Sequence, residues 1–229
     1  MPARLLLPNL LTLGNLALGS WAIALSYQQK WELFAVALGG ALVCDWLDGW
    51  TARLLRAESP LGKELDALAD LTSFGLAPTF ALFNYLKPLV PELPYDREVR
   101  FWMVMAPFWL PLWAAWRLAR FNAMPEQSKR FFEGLPTPAQ GLLWTLWLLT
   151  EPKGGWLHPA VWLTQIVAVG LLMGSRLPFL SLKSRKNLPW LGVLVGAVGG
   201  VWLWLPPQAW LASGVALYAG ISYVAARTA

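Results

Sequence analysis

The sequence predicts an all-α integral membrane protein, a polytopic bundle of eight transmembrane helices folded as one domain over residues 1–229. Three observations predict it. Hydrophobic residues form 57% of the 229-residue chain against 14% charged, and the mean hydropathy is +0.47, a balance too apolar for an ordinary soluble domain. Apolar stretches near the length of about 20 residues needed to cross a bilayer recur at 8–27, 32–54, 65–86, 101–121, 137–150, 156–173, 188–205 and 209–225. With eight crossings, only Lys30, Lys87, Arg97, Arg100 and Lys153 of the 18 Lys and Arg fall on one side, leaving thirteen on the other. Cationic loops stay cytoplasmic, so this asymmetry puts both termini and the segment 45–70 at the cytoplasmic face of a cytoplasmic (inner) membrane.

The first stretch opens with Arg4 and an apolar run in the manner of a signal peptide. No small-residue cleavage site follows, so it reads as a retained span. The second stretch runs into a group of aspartates, and the third emerges from them. The fifth, 137–150, is short, and 137–173 reads either as two spans or as one crossing with an interfacial segment. Near the end, Gly192, Gly196 and Gly200, then Ala212, Ala216 and Gly220, recur every four residues. Small residues at that period let helices approach closely in lipid, and packing within one chain is the simpler use of them than a dimer seam. Trp202, Trp204 and Trp210, among the 16 tryptophans, flank Pro206 and Pro207 as an interfacial belt would.

Other features exclude chemistry. Cys44 is the single cysteine, so there is neither a disulfide framework nor a thiolate cluster. His158, the single histidine, falls on the outer side, far from the aspartates. The net charge of +5 is scattered among loops rather than gathered on a soluble face, which argues against a nucleic-acid partner.

The chemistry lies in residues 45–70, DWLDGWTARLLRAESPLGKELDALAD. At 100° per residue, Asp45, Asp48, Gly49 and Ala52 share one helical face, and Gly62, Asp66 and Asp70 share another. Ser59 and Pro60 lie between the two faces and break the helix, so the halves can return antiparallel with these faces opposed. One ionised side chain at bilayer depth costs about 2.5 to 3.5 kcal/mol, so four would cost roughly 10. Arg53 and Lys63 cannot neutralise four carboxylates; one or two divalent cations can. An all-oxygen donor set selects Mg²⁺, Mn²⁺ or Ca²⁺, and two such ions polarise a phosphoryl group. The small residues leave room for a ligand at the backbone, and Arg53 is placed for phosphate oxygens. Packing salt bridges and an ion-transport path are the competing readings of intramembrane carboxylates; the transport path does not explain the glycines or the adjacent Ala52 and Arg53.

The spacing D-x-x-D-G-x-x-A-R-x8-G-x-x-x-D-x-x-x-D, complete in Asp45, Asp48, Gly49, Ala52, Arg53, Gly62, Asp66 and Asp70, resembles the signature of the CDP-alcohol phosphotransferase family. The resemblance implies a six-helix core, usually homodimeric, around two divalent cations. It implies Asp45, Asp48, Asp66 and Asp70 as metal ligands, Asp70 also as general base, and Gly49, Ala52, Arg53 and Gly62, with Asp48 and Asp66, at the CDP-lipid site. The flanks PNLLTLGN (8–15), SFGLAP (73–78), RLARFN (117–122) and GLPTPA (134–139) resemble the phosphatidylserine synthase branch. The implied reaction transfers a phosphatidyl group from CDP-diacylglycerol to the hydroxyl of L-serine, with CMP released.

Serine brings a carboxylate, for which Arg117 and Arg120 could supply a cation with Asn122 nearby; ordinary membrane-anchoring arginines are the alternative. Thr12 and Asn15, one turn apart in an apolar span, touch either the nucleotide or a neighbouring helix. Glycerol 3-phosphate or an inositol phosphate remains open as acceptor for the same chemistry, and a cation- or proton-coupled transporter as a different class.

Overall fold

The computed structural model describes residues 3–124, 132–150, 159–175 and 178–179. Two long helices, α1 (Ala3–Tyr27) and α2 (Trp31–Leu54), form an antiparallel hairpin. The turn between them is a Schellman end. Gln29 takes the left-handed conformation at φ 54°, Gln29 N–H donates to Ser26 O at 3.0 Å, and Lys30 N–H donates to Leu25 O at 3.1 Å, which satisfies carbonyls the helix would leave orphaned. The end of α2 repeats the device, with Arg56 at φ 49°, Arg56 N–H on Arg53 O and Ala57 N–H on Ala52 O. Three residues later Ser59 caps the next helix by accepting from Gly62 N–H at 3.0 Å, with Pro60 first in the helix. The break expected at Ser59 and Pro60 is therefore a stop and a start in immediate succession.

From Pro60 the chain stays helical to Leu89, as α3 (Pro60–Asp70), a π-helical segment (Leu71–Leu76) and α4 (Ala77–Leu89). A 3₁₀ turn and a short loop lead to α5 (Arg97–Met105), which passes through a second 3₁₀ turn at Pro107 into α6 (Trp109–Ala123). Then come α7 (Thr137–Thr150) and α8 (Pro159–Gly174). Among the described residues one feature is not helical: β1 (Phe132–Glu133) pairs antiparallel with β2 (Pro178–Phe179), Phe132 opposite Phe179 and Glu133 opposite Pro178.

Helices occupy the described residues of the stretches 8–27, 32–54, 65–86, 101–121, 137–150 and 156–173, with 101–121 divided between α5 and α6 at Pro107 and the described residues of 137–173 in two helices. Among the described residues, 4–27 and 31–54 are, as single helices, long and apolar enough to cross a membrane. The third stretch misses that standard because it divides into α3 of 11 residues, the π-helical segment of 6 and α4 of 13. The stretches 188–205 and 209–225, the small-residue repeats, the Trp202–Trp210 belt and His158 lie outside the described residues, so the structure does not reach a count of eight. Large apolar side chains stand exposed on the outer faces, among them Trp21 at 61%, Val36 at 70% and Trp116 at 62%, the surface a bilayer covers and water does not.

α1 is the scaffold. It packs against α2, α3, the π segment and α4, while α2 and α3 approach each other less closely than either approaches α1. At its centre Gly19 meets the π segment so tightly that a Cβ there would lie 2.6 Å from Ser73 Cα. Ser73 Oγ donates to Asn15 O at 2.9 Å, and the Gln140 side-chain amide of α7 donates to Phe74 O. The register slip of a π turn frees backbone groups for such partners. Gly19→Ala is expected to destabilise the fold by about 1–3 kcal/mol, read as a lower thermal midpoint in detergent; an unchanged midpoint would show that the contact yields without cost.

Candidate active site

The end of α2 and the start of α3 bring Asp45, Asp48 and Asp66 together, each with a carboxylate oxygen within 4.8 Å of the other two. Asp45 and Asp48 are 4% and 5% exposed, and Asp66 is half-buried. Thr12 of α1 donates to Asp48 Oδ2 at 2.6 Å. Asp70 is not part of this trio. It sits one turn beyond Asp66, 8% exposed, where Asn15 Nδ2 donates to its Oδ1 at 3.3 Å.

Two cavities meet at these carboxylates. The smaller, of about 240 Å³, is walled by Pro8, Asn9 and Thr12 of α1, by Asp48, Gly49, Ala52 and Arg53 of α2, by the connector Ala57–Ser59, and by Gly62, Lys63 and Asp66 of α3. The four small or basic residues of the signature thus face one space. Gly62 sits closely there, a Cβ on it lying 3.1 Å from Ser59 Oγ and 3.4 Å from Asn9 Oδ1. The larger cavity, of about 600 Å³, holds Asp45, Asp66 and Asp70 with Arg117 and Asn122 of α6. Its remaining wall is mostly apolar: Leu42, Val43 and Trp46 of α2, Leu118 and Phe121 of α6, and Pro136, Pro138 and Ala139 entering α7. Arg53, Glu58 and Asp66 line both.

Two buried carboxylates and one half-buried, converging without histidine or thiolate, suit a hard divalent cation, whose oxygen ligands lie about 2.0 to 2.6 Å from the metal. The trio therefore fits a resident divalent ion.

The CDP-alcohol phosphatidyltransferase family profile matches residues 5–198. The chain belongs to that family. Curated relatives carry the name CDP-diacylglycerol--serine O-phosphatidyltransferase. The protein from Mycobacterium leprae is 30% identical over 183 residues, 76% of this chain and 57% of its own length. The one from Helicobacter pylori is 31% identical over 185 residues, 79% of this chain and 74% of its own. That from Bacillus subtilis is 29% identical over 137 residues, 59% and 71%. The chain spans a little over half the length of the Mycobacterium relative and about three-quarters of the Helicobacter one.

Within this family member, the expected site residues separate into groups. Gly49, Ala52, Arg53, Gly62, Asp48, Asp66 and Thr12 face the smaller cavity. Asn15 does not. It is fully buried beside Asp70 and its backbone carbonyl accepts from Ser73, so of its two readings the structure favours contact with a neighbouring helix. Thr12 combines both, lining the cavity and bonding Asp48. Arg117 and Asn122 line the larger cavity. Arg120, one turn from Arg117, donates Nη1 to Gly174 O and Nη2 to Ser175 O, each at 3.0 Å, and lines neither of the two cavities.

Residues that sequence reasoning passed over as site residues include Asn9, Glu58 and Lys63. Asn9 had a signal, since it precedes Thr12 by three and so shares its helical face. Glu58 had none, because a connector residue has no periodicity to read. Thr137, which accepts from Arg117 Nη1 at 3.1 Å, lies about twenty residues away in sequence.

Proposed function

We propose that the protein transfers the phosphatidyl group of CDP-diacylglycerol to the hydroxyl of L-serine, forming phosphatidylserine and CMP. The observation that carries this reading is the meeting of two cavities at Asp45, Asp48 and Asp66, one glycine-lined and polar, the other largely apolar with the buried cation Arg117. The names of the relatives support serine as acceptor.

In this reading Asp45, Asp48 and Asp66, with Asp70 beside them, would hold two divalent cations, Mg²⁺ or Mn²⁺ with Ca²⁺ a third candidate. When bound, such ions supply charge neutralisation and polarisation of the pyrophosphate. The chain's own residues do the rest. Gly49, Ala52 and Gly62 admit the nucleotide close to the backbone, Arg53 meets phosphate oxygens, and Thr12 holds the Asp48 carboxylate in orientation. The acyl chains lie along the apolar wall of Leu42, Val43, Leu118 and Phe121. Arg117 and Asn122 bind the acceptor's carboxylate. Asp70, turned by Asn15, takes the proton of the serine hydroxyl as that oxygen attacks the lipid-side phosphorus, and CMP leaves.

The proposal includes a single domain over 1–229, eight spans, both termini and the site on the cytoplasmic side, and a homodimer. The test is CMP release by the purified protein with CDP-diacylglycerol and a panel of serine, glycerol 3-phosphate and inositol phosphate. Serine alone is expected to support turnover, and EDTA to stop it. Turnover with another acceptor transfers the reading to that alcohol; ion flux into liposomes without CMP from any acceptor ends it.

A further inference from the structure

Arg117 and Arg120 stand one turn apart on α6, yet they serve different surfaces. Arg117 is 4% exposed, lines the larger cavity with Asp70, and donates to Thr137 Oγ1. Arg120 lines none of the cavities described above. Both arms of its guanidinium reach carbonyls at the end of α8, that of Gly174 and that of Ser175 just beyond it, where helical carbonyls lack intrahelical partners and the helix dipole favours a cation.

The same helix end receives the segment that forms the cavity wall. Leu135 N–H donates to Leu172 O at 3.1 Å. Gly134 sits at φ +76°, and a Cβ on it would lie 3.0 Å from Ser175 O and closer still to Met173 O. Immediately after come Pro136, Pro138 and Ala139, which wall the cavity, and Thr137, fully buried, which holds Arg117. Arg120 to the end of α8, the end of α8 to Gly134 and Leu135, and Thr137 back to Arg117 therefore form a closed circuit of contacts starting and ending on α6.

We propose that Arg120 and Gly134 are positioning residues for the acceptor site: by fixing the end of α8 against residues 134–139 they hold Thr137, and through it the Arg117 guanidinium, where a small anionic acceptor is bound. This rests on the reading that Arg117 faces the acceptor. Arg120 contributes by its planar two-pronged donation, which a lysine cannot reproduce at both carbonyls. Gly134 contributes by a backbone conformation open mainly to glycine, at a spot with no room for a methyl group.

The test is steady-state kinetics on Arg120→Gln, Arg120→Lys, Gly134→Ala, their double variant and Thr137→Val, each taken forward as monodisperse protein in detergent. Arg120→Gln, Gly134→Ala and Thr137→Val are each expected to raise the acceptor KM about tenfold, with the CDP-diacylglycerol KM and the half-saturating Mg²⁺ concentration unchanged. Arg120→Lys recovers part of the loss. The Arg120→Gln, Gly134→Ala double variant is no worse than the singles, since both interrupt one circuit. An acceptor KM that rises in Arg120→Gln but not in Gly134→Ala or Thr137→Val, or additive losses in the double variant, overturns the inference and returns Arg120 to direct contact with the acceptor. Should Arg120→Gln fail to yield monodisperse protein, Gly134→Ala and Thr137→Val decide alone. Arg117→Ala separates the layers: if it leaves the acceptor KM unchanged, the acceptor-site reading fails and this inference with it; if it raises the KM while Arg120→Gln and Gly134→Ala do not, the inference alone fails.

Discussion

Asp48→Asn is expected to lower CMP release by about 10³-fold, the loss that accompanies several kcal/mol of transition-state charge stabilisation. Asp48 is the point where the carboxylate trio meets the glycine-lined cavity. It is 5% exposed, receives the Thr12 hydroxyl at 2.6 Å, and has an oxygen within 4.8 Å of both Asp45 and Asp66. An amide keeps the volume and removes the charge, so the change reports on cation binding rather than packing. Alongside the lost rate, the Mg²⁺ concentration for half-maximal activity should rise steeply. Undiminished turnover at unaltered Mg²⁺ dependence would remove Asp48 from any metal site.

Asp70→Asn is expected to cost about 10²- to 10⁴-fold in kcat, the range for removal of a positioned general base. Its distinguishing mark is selectivity. Asp70 stands outside the trio and shares its cavity with Arg117, so kcat should fall with the acceptor KM near its parent value, and the half-saturating Mg²⁺ should rise less than in Asp48→Asn. A parallel rise in the Mg²⁺ requirement, matching that of Asp48→Asn, would make Asp70 a ligand first and strip it of the separate base role. Asn15→Ala, which removes the amide donated to Asp70 Oδ1, should reproduce a fraction of the same kcat loss.

Much of this site is legible in the chain because its parts are close in sequence. Asp45, Asp48, Gly49 and Ala52 fall at helical spacing, as do Gly62, Asp66 and Asp70, and Ser59 with Pro60 marks the break between them. Helical periodicity converts such spacing directly into a shared face. The π segment after Asp70 has no comparable signal: LTSFGL reads as ordinary apolar helix, and only the contacts of Ser73 with α1 and of Phe74 O with Gln140 reveal what holds the slipped register. The two arginines of α6 make the same point. One turn apart and chemically identical, they carry no local signal that Arg117 lines a cavity while Arg120 meets the end of α8.

By itself, then, the sequence determined that the chain is a helical membrane protein with a carboxylate-rich signature between its second and third hydrophobic stretches, because composition and local period suffice for both. The tertiary structure decided the rest. It set α1 as the helix on which both halves of the signature rest, drew Asp45, Asp48 and Asp66 together with Asp70 one turn apart from them, turned Asn15 toward Asp70, and sent Arg117 into the cavity and Arg120 to the end of α8. Each of these depends on contacts between segments dozens of residues apart, and such contacts are set by packing across the whole bundle, which no local pattern encodes.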